Sequence, residues 1–155
     1  MNKKDLTLKD AFLNAVQSYN KKDFKEAEIE CHRILSIDPH NFESNLLLAS
    51  ISVAKKDYTN AKKILEEANS IKPNNLSVLN NLGTVFTNLK EFNDAEVCYK
   101  KVLDYDPNNI NAHYNYGLLY LELKEFKKAK TFFEKTINLQ PNFALAFLAL
   151  ANIHA

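Results

Sequence analysis

The side chains able to do chemistry are thinly spread along this chain. His32, His40, His113 and His154 are its histidines, and no pair of them has the close spacing of a zinc site. Its cysteines, Cys31 and Cys98, fall on separate predicted helices, too far apart for the ~7 Å reach of a disulfide. They read as small buried hydrophobes. Reduced thiols of this kind fit a cytosolic setting, and cytoplasmic localisation is the expectation. The carboxylates cluster beside lysines, as in Lys25/Glu26/Glu28, Lys62/Lys63/Glu66/Glu67 and Lys127/Lys130/Glu134, the pattern of surface pairs at helical spacing. No G-x-S-x-G, P-loop, G-x-G-x-x-G or H-E-x-x-H occurs. The residues therefore predict no catalytic constellation, no metal and no cofactor.

Charge excludes further classes. The net charge is +1, and only Arg33 among the basic residues is arginine. Bidentate grip on phosphate leans on arginine, and a balanced chain has no field to draw nucleic acid or an anionic membrane. No apolar run approaches the ~20 residues needed to span a bilayer. The charged start Met1-Asn2-Lys3-Lys4-Asp5 has no apolar stretch behind it, so no secretory signal is expected.

What remains is order. Pro39, Pro73, Pro107 and Pro141 are the only prolines and recur every 34 residues, as do Ala27, Ala61, Ala95 and Ala129, and Phe24, Tyr58, Phe92 and Phe126. A fixed period of this length marks a repeat array rather than one closed core. Each period divides into two helical stripes. In the third, Leu76, Leu79, Leu82, Gly83 and Phe86 form one; Phe92, Ala95, Tyr99 and Val102 form the next. Pro107 bars continuation and pushes Asp106 out of the α region, and Asn109 can cap the following helix. The spacing predicts helices at 8–20, 24–37, 42–54, 58–71, 76–88, 92–105, 110–122, 126–139 and 143–155. Thr7-Leu8-Lys9-Asp10 is read as a capping box opening the first.

The pattern resembles the tetratricopeptide repeat, with W-x2-L-G-x2-Y, then A-x3-F, then P. The third copy supplies Leu79, Leu82, Gly83, Phe86, Ala95, Tyr99 and Pro107, and the fourth His113, Tyr116, Gly117, Tyr120, Ala129, Phe133 and Pro141. The second is looser, with Asn45, Leu48, Ala49, Ser52, Ala61, Leu65 and Pro73. The first is the most divergent, with Ala11, Asn14, Ala15, Ser18, Ala27, Cys31 and Pro39. The resemblance implies an all-α, right-handed solenoid: a lead-in at 1–7, repeats at 8–41, 42–75, 76–109 and 110–143, and a closing half repeat at 144–155. Gly83 and Gly117, or Ala49 and Ala15, let paired helices approach, and the recurrent alanines keep the facing contact small. One departure recurs: Lys22, Lys56, Lys90 and Lys124 occupy the turn where the family often has glycine, each followed by an acidic residue that cancels its charge. His113 falls where the motif puts a core aromatic and is expected to pack there.

The resemblance also implies a concave groove lined by the first helix of each repeat. Its residues here are Glu43, Leu46, Leu47 and Ser50, then Ser77, Asn80, Asn81 and Thr84, then Asn111, Tyr114, Asn115 and Leu118. Asn81 and Asn115 fall where some members carry a ladder of asparagines, whose amides can both donate to and accept from an extended backbone. The family's clamp for a terminal carboxylate is not matched, since only one of its polar positions is present. Phe12, Leu13, Leu46 and Leu47 make the amino-terminal half apolar. The implied function is a non-catalytic scaffold for a protein or peptide partner. The alternative is the substrate-recruiting front segment of a larger enzyme, such as a glycosyl- or sulfotransferase. Residues 143–151 are apolar all round, so Ala144, Phe147, Leu148 or Ile153 should face water; further repeats or an enzyme domain following it, pairing with a second copy, or a tolerated bare end are the three readings of that end.

Overall fold

The computed structural model describes the backbone of residues 3–154 and the side chains of residues 7–153. The side chain of His154, the end at Ala155 and the start of the lead-in lie outside the described residues. Nine helices and no strand occur among those described: α1 (Lys3–Asn20), α2 (Phe24–Ile37), α3 (Phe42–Ala54), α4 (Tyr58–Ile71), α5 (Leu76–Asn88), α6 (Phe92–Tyr105), α7 (Ile110–Glu122), α8 (Phe126–Leu139) and α9 (Ala144–His154). Helices α2 to α8 begin and end on the predicted residues. The first helix differs: Thr7 lies inside α1, so Thr7–Asp10 does not open it.

Helix starts follow the asparagine and aspartate signals. Asn41, Asn75 and Asn109 each accept a hydrogen bond from the first turn of the next helix, and Asp38 and Asp106 brace two of these caps by accepting from Asn41 and Asn109 at 3.1 and 3.0 Å. Asp106 lies outside the α region, at φ −135° and ψ 86°. Asp23 and Asp57 cap α2 and α4 in the same way. Glu91 and Glu125 hold the matching places before α6 and α8 and make no side-chain cap bond; Glu125 pairs instead with Lys128 in the first turn, at 2.6 Å.

The turn lysines are exposed, as expected of a solvated turn. Their backbone is the surprise. Lys22, Lys56, Lys90 and Lys124 have φ of 62°, 61°, 64° and 59°, the left-handed region. Each closes its helix with paired bonds, as where Lys22 N–H donates to Tyr19 O and Asp23 N–H to Ser18 O, both at 2.9 Å. This is the Schellman closure, which ordinarily takes glycine.

The chain divides into two compact units, one ending at Pro73 and the other beginning at Asn74. In the first, α1 packs on α2, α3 on α4, and α2 on α3. Its core joins Ala15, Ala27, Cys31, Leu48 and Ile51, with Tyr19, Phe24 and Ile64 against them. In the second, α5 pairs with α6 and α7 with α8, α7 also touches α5 and α6, and α9 packs on α8. Its core centres on Tyr99, Tyr116, Leu119, Phe133 and Ala146. All four recurrent alanines are fully buried. The two glycines, however, face aromatic rings: Gly83 lies against Tyr99 and Gly117 against Phe133.

A polar knot ties α6 to α7. The Tyr116 and Tyr120 hydroxyls both donate to Glu96 Oε1, at 2.8 and 3.1 Å, and Lys100 Nζ lies 3.2 Å away. The Tyr116 hydroxyl holds the Glu96 carboxyl below its ordinary 4.5; partial burial opposes this, and Lys100 and Tyr120 reinforce it. A depressed carboxylate contributes stability that is complete above 4.5 and is lost as pH falls through the folded-state value. Glu96→Gln is therefore expected to cost about 1 kcal/mol near neutrality, modest because the side chain is 36% exposed. Urea unfolding of both proteins should show the gap closing below pH 4.5; a gap unchanged in acid would refute the role.

Candidate functional site

Within the second unit, α5 and α7 lie side by side, and the cleft between them has a volume of about 210 Å³. Its lining is mostly amide: Asn80 and Asn81 from α5, Asn109 from the preceding turn, Asn111 and Asn115 from α7. Four of these asparagines divide into two classes. Asn80 is buried and donates through Nδ2 to Asn109 Oδ1 at 3.2 Å, and Asn109 Oδ1 also accepts from Ala112 N–H at 3.0 Å. These two hold the turn against α5. Asn81 and Asn115 are half-buried, line the cleft, and make no side-chain hydrogen bond within the described chain. Two unengaged amides one repeat apart can donate to and accept from a ligand backbone.

A second cavity, of about 200 Å³, adjoins the first and shares Asn115 with it. Thr84 and Leu118 line it. Thr84 Oγ1 donates to Asn80 O at 3.2 Å and lies 3.4 Å from the Tyr99 hydroxyl. Burial pushes the Tyr99 phenol up to about 12, so it is a neutral hydroxyl at any physiological pH. Asn111 is exposed at the cleft edge. Tyr114 turns toward the core, its ring 5.0 Å from Phe143 and 5.8 Å from Phe133, and burial raises its phenol as well.

The first unit carries the other predicted lining residues. Leu46 and Leu47 are half-buried, and Leu47 packs on the core. Ser50 Oγ donates to Leu46 O at 3.0 Å, so its hydroxyl is turned back on its own helix. Glu43 is engaged by Lys72 at 3.3 Å, and Lys72 Nζ also sits 4.0 Å over the Phe42 ring. Leu13 is exposed and Phe12 half-buried.

On α9, Phe147 and Leu148 are exposed, together with Ala144 and Leu145. Ile153 departs from the expectation: it is half-buried against the second unit's core, because it falls on the same helix face as Ala146 and Ala149.

His32 and His40 are exposed. His113 is buried, its Nε2 lies 2.9 Å from Pro107 O, and its ring packs near Phe132 at 5.9 Å. Cys31 and Cys98 are buried free thiols, each pushed up to about 11 by burial, which makes poor nucleophiles. Among the described residues no group of three or more His, Cys, Asp or Glu could hold a metal ion, and no helix is long and apolar enough to cross a membrane. Residue reading missed the Glu96–tyrosine knot. Tyr116 and Tyr120 are visibly spaced for one helix face, but their partner lies on another helix.

Comparison with known proteins agrees with this architecture. A family model described as tetratricopeptide repeat matches residues 88–153. A second, described as anaphase-promoting complex, cyclosome, subunit 3, matches residues 20–102. No curated protein matches the chain in sequence. Among solved structures, a MamA protein superposes with a TM-score of 0.75 at 22% identity, covering 96% of this chain and 81% of that one. The pilF protein of Pseudomonas aeruginosa gives 0.84 at 21% identity, covering 98% and 69%. MamA of Desulfovibrio magneticus, from residue 41 to its end, gives 0.76 at 19%, covering 88% and 77%. At these identities the likeness is one of fold, an all-α helical-repeat array. With the in-phase motif, the paired helices and both family models in agreement, the chain belongs to the tetratricopeptide repeat family.

Proposed function

We propose that the chain is a non-catalytic scaffold whose α5/α7 cleft holds the backbone of an extended protein segment. The observation that carries this reading is the pair Asn81 and Asn115: half-buried, one repeat apart, facing one cleft, and unengaged while neighbouring asparagines cap and brace. Both amides are open to solvent at the cleft, and a segment supplying N–H and C=O groups at strand spacing can take the place of water at each. Recognition through the backbone predicts affinity that tolerates changes in ligand sequence.

The test uses twelve-residue peptides selected by display against the wild-type chain. Asn81→Ala/Asn115→Ala should weaken each selected peptide roughly 10- to 100-fold, at about 1 kcal/mol or more per lost bond, whatever its sequence. Asn80→Ala should instead lower thermal stability. Affinities within twofold of wild type for the double variant would overturn the reading.

A further inference from the structure

We propose that the cavity next to the cleft is a pocket for one tyrosine side chain of the bound segment, an inference that rests on the cleft reading above. Size comes first. The cavity holds about 200 Å³, and a cavity of about 150 Å³ accepts a benzene ring. It therefore has room for one six-membered ring with a small substituent, and not for two rings.

The lining then selects the chemistry. Leu118 and Leu121 of α7 and the Tyr99 ring supply apolar walls. Asn88 at the end of α5 supplies an acceptor: its Nδ2 donates to Thr84 O at 2.8 Å, which leaves Oδ1 without an intramolecular donor. The shared Asn115 amide supplies both a donor and an acceptor. A phenylalanine or leucine would cover these groups without pairing them, and buried polar groups left unpaired are penalised. A charged tip finds no complement either, because Lys90 and Glu122 at the rim already pair with each other. A glutamine would satisfy the amides but leave the apolar walls uncovered. The phenol meets every requirement: a flat apolar body, a hydroxyl that donates to Asn88 Oδ1, and no charge.

The experiment titrates the 15N-labelled chain with N-acetyl-tyrosine amide, N-acetyl-phenylalanine amide and N-acetyl-glutamine amide, following backbone amide shifts. The tyrosine compound should move the signals of Asn88, Lys90 and Leu121 and bind ~5-fold more tightly than the phenylalanine compound, one hydrogen bond's worth. Asn88→Leu, at an exposed helix end, should abolish that preference and leave the rest of the spectrum in place. Equal binding of the phenylalanine compound, or shifts elsewhere on the chain, would overturn the pocket. The two readings separate cleanly. If the tyrosine compound fails while selected peptides still lose affinity in the Asn81/Asn115 variant, the pocket is wrong and the cleft stands. If the compound binds as described and the peptides ignore those asparagines, the cleft is wrong and the pocket stands.

Discussion

Gly117→Ala is expected to destabilise the chain by about 2 kcal/mol, although glycine-to-alanine in a helix interior ordinarily stabilises by about 1 kcal/mol. The reversal comes from one ring. A Cβ on residue 117 would stand 2.6 Å from Phe133 Cε1, 2.8 Å from Cδ1 and 3.0 Å from Cζ. Phe133 is fully buried, so the ring cannot retreat into solvent and α7 must move off α8. Overpacking of this kind costs about 1–3 kcal/mol. Gly83 repeats the arrangement, its added Cβ falling 2.5 Å from Tyr99 Cε1.

The chain already contains the compensated version. At the place of Gly83 and Gly117 the earlier repeats have Ala49 and Ala15, and at the place of Tyr99 and Phe133 they have Leu65 and Cys31. All four of these earlier residues are fully buried. Glycine thus goes with an aromatic ring and alanine with a smaller side chain. A double-mutant cycle at Gly117 and Phe133 tests this coupling without involving a hydroxyl. Phe133→Leu alone should be destabilising through the cavity it leaves. Gly117→Ala/Phe133→Leu should cost about 2 kcal/mol less than the sum of the single changes, as measured by urea unfolding. Additive costs would show that the ring does not set the spacing of the pair.

How far the sequence could be read follows from which interactions are local. Helix ends were legible because the signals sit within a few residues of the end they specify: Pro107 stops one helix and Asn109 starts the next. The division of the asparagines was not legible. Asn80 and Asn81 are adjacent and of one type, and only the approach of Asn109 from the next repeat engages one and leaves the other in the cleft. The length of α1 was misread because Thr7 has the chemistry of a cap without the position of one. The turn lysines are visible in sequence as a departure from glycine and as a charge cancelled by its neighbour. Their consequence lies in the backbone, where a side chain's cost depends on φ rather than on its tip.

That cost supplies the second large expectation. A residue with a Cβ held in the left-handed region gives up about 1–2 kcal/mol relative to one without, and glycine returns roughly 0.5–1 kcal/mol of this through the greater entropy of its unfolded chain. Each lysine-to-glycine change at positions 22, 56, 90 and 124 should then stabilise by about 0.5–1 kcal/mol. The four sites are separate turns sharing no hydrogen bond, so the gains should add, to about 2–4 kcal/mol in the quadruple variant. Position 90 should gain least, because Lys90 also pairs with Glu122, although an exposed pair contributes little. Two controls isolate the cause. Lysine-to-alanine at the same positions removes the charge and keeps the Cβ, and should give no comparable gain. Asn74→Gly, at a φ of 62°, should gain less than any lysine change, because asparagine enters this region more readily. Equal gains from alanine and glycine would assign the effect to charge and remove the backbone explanation.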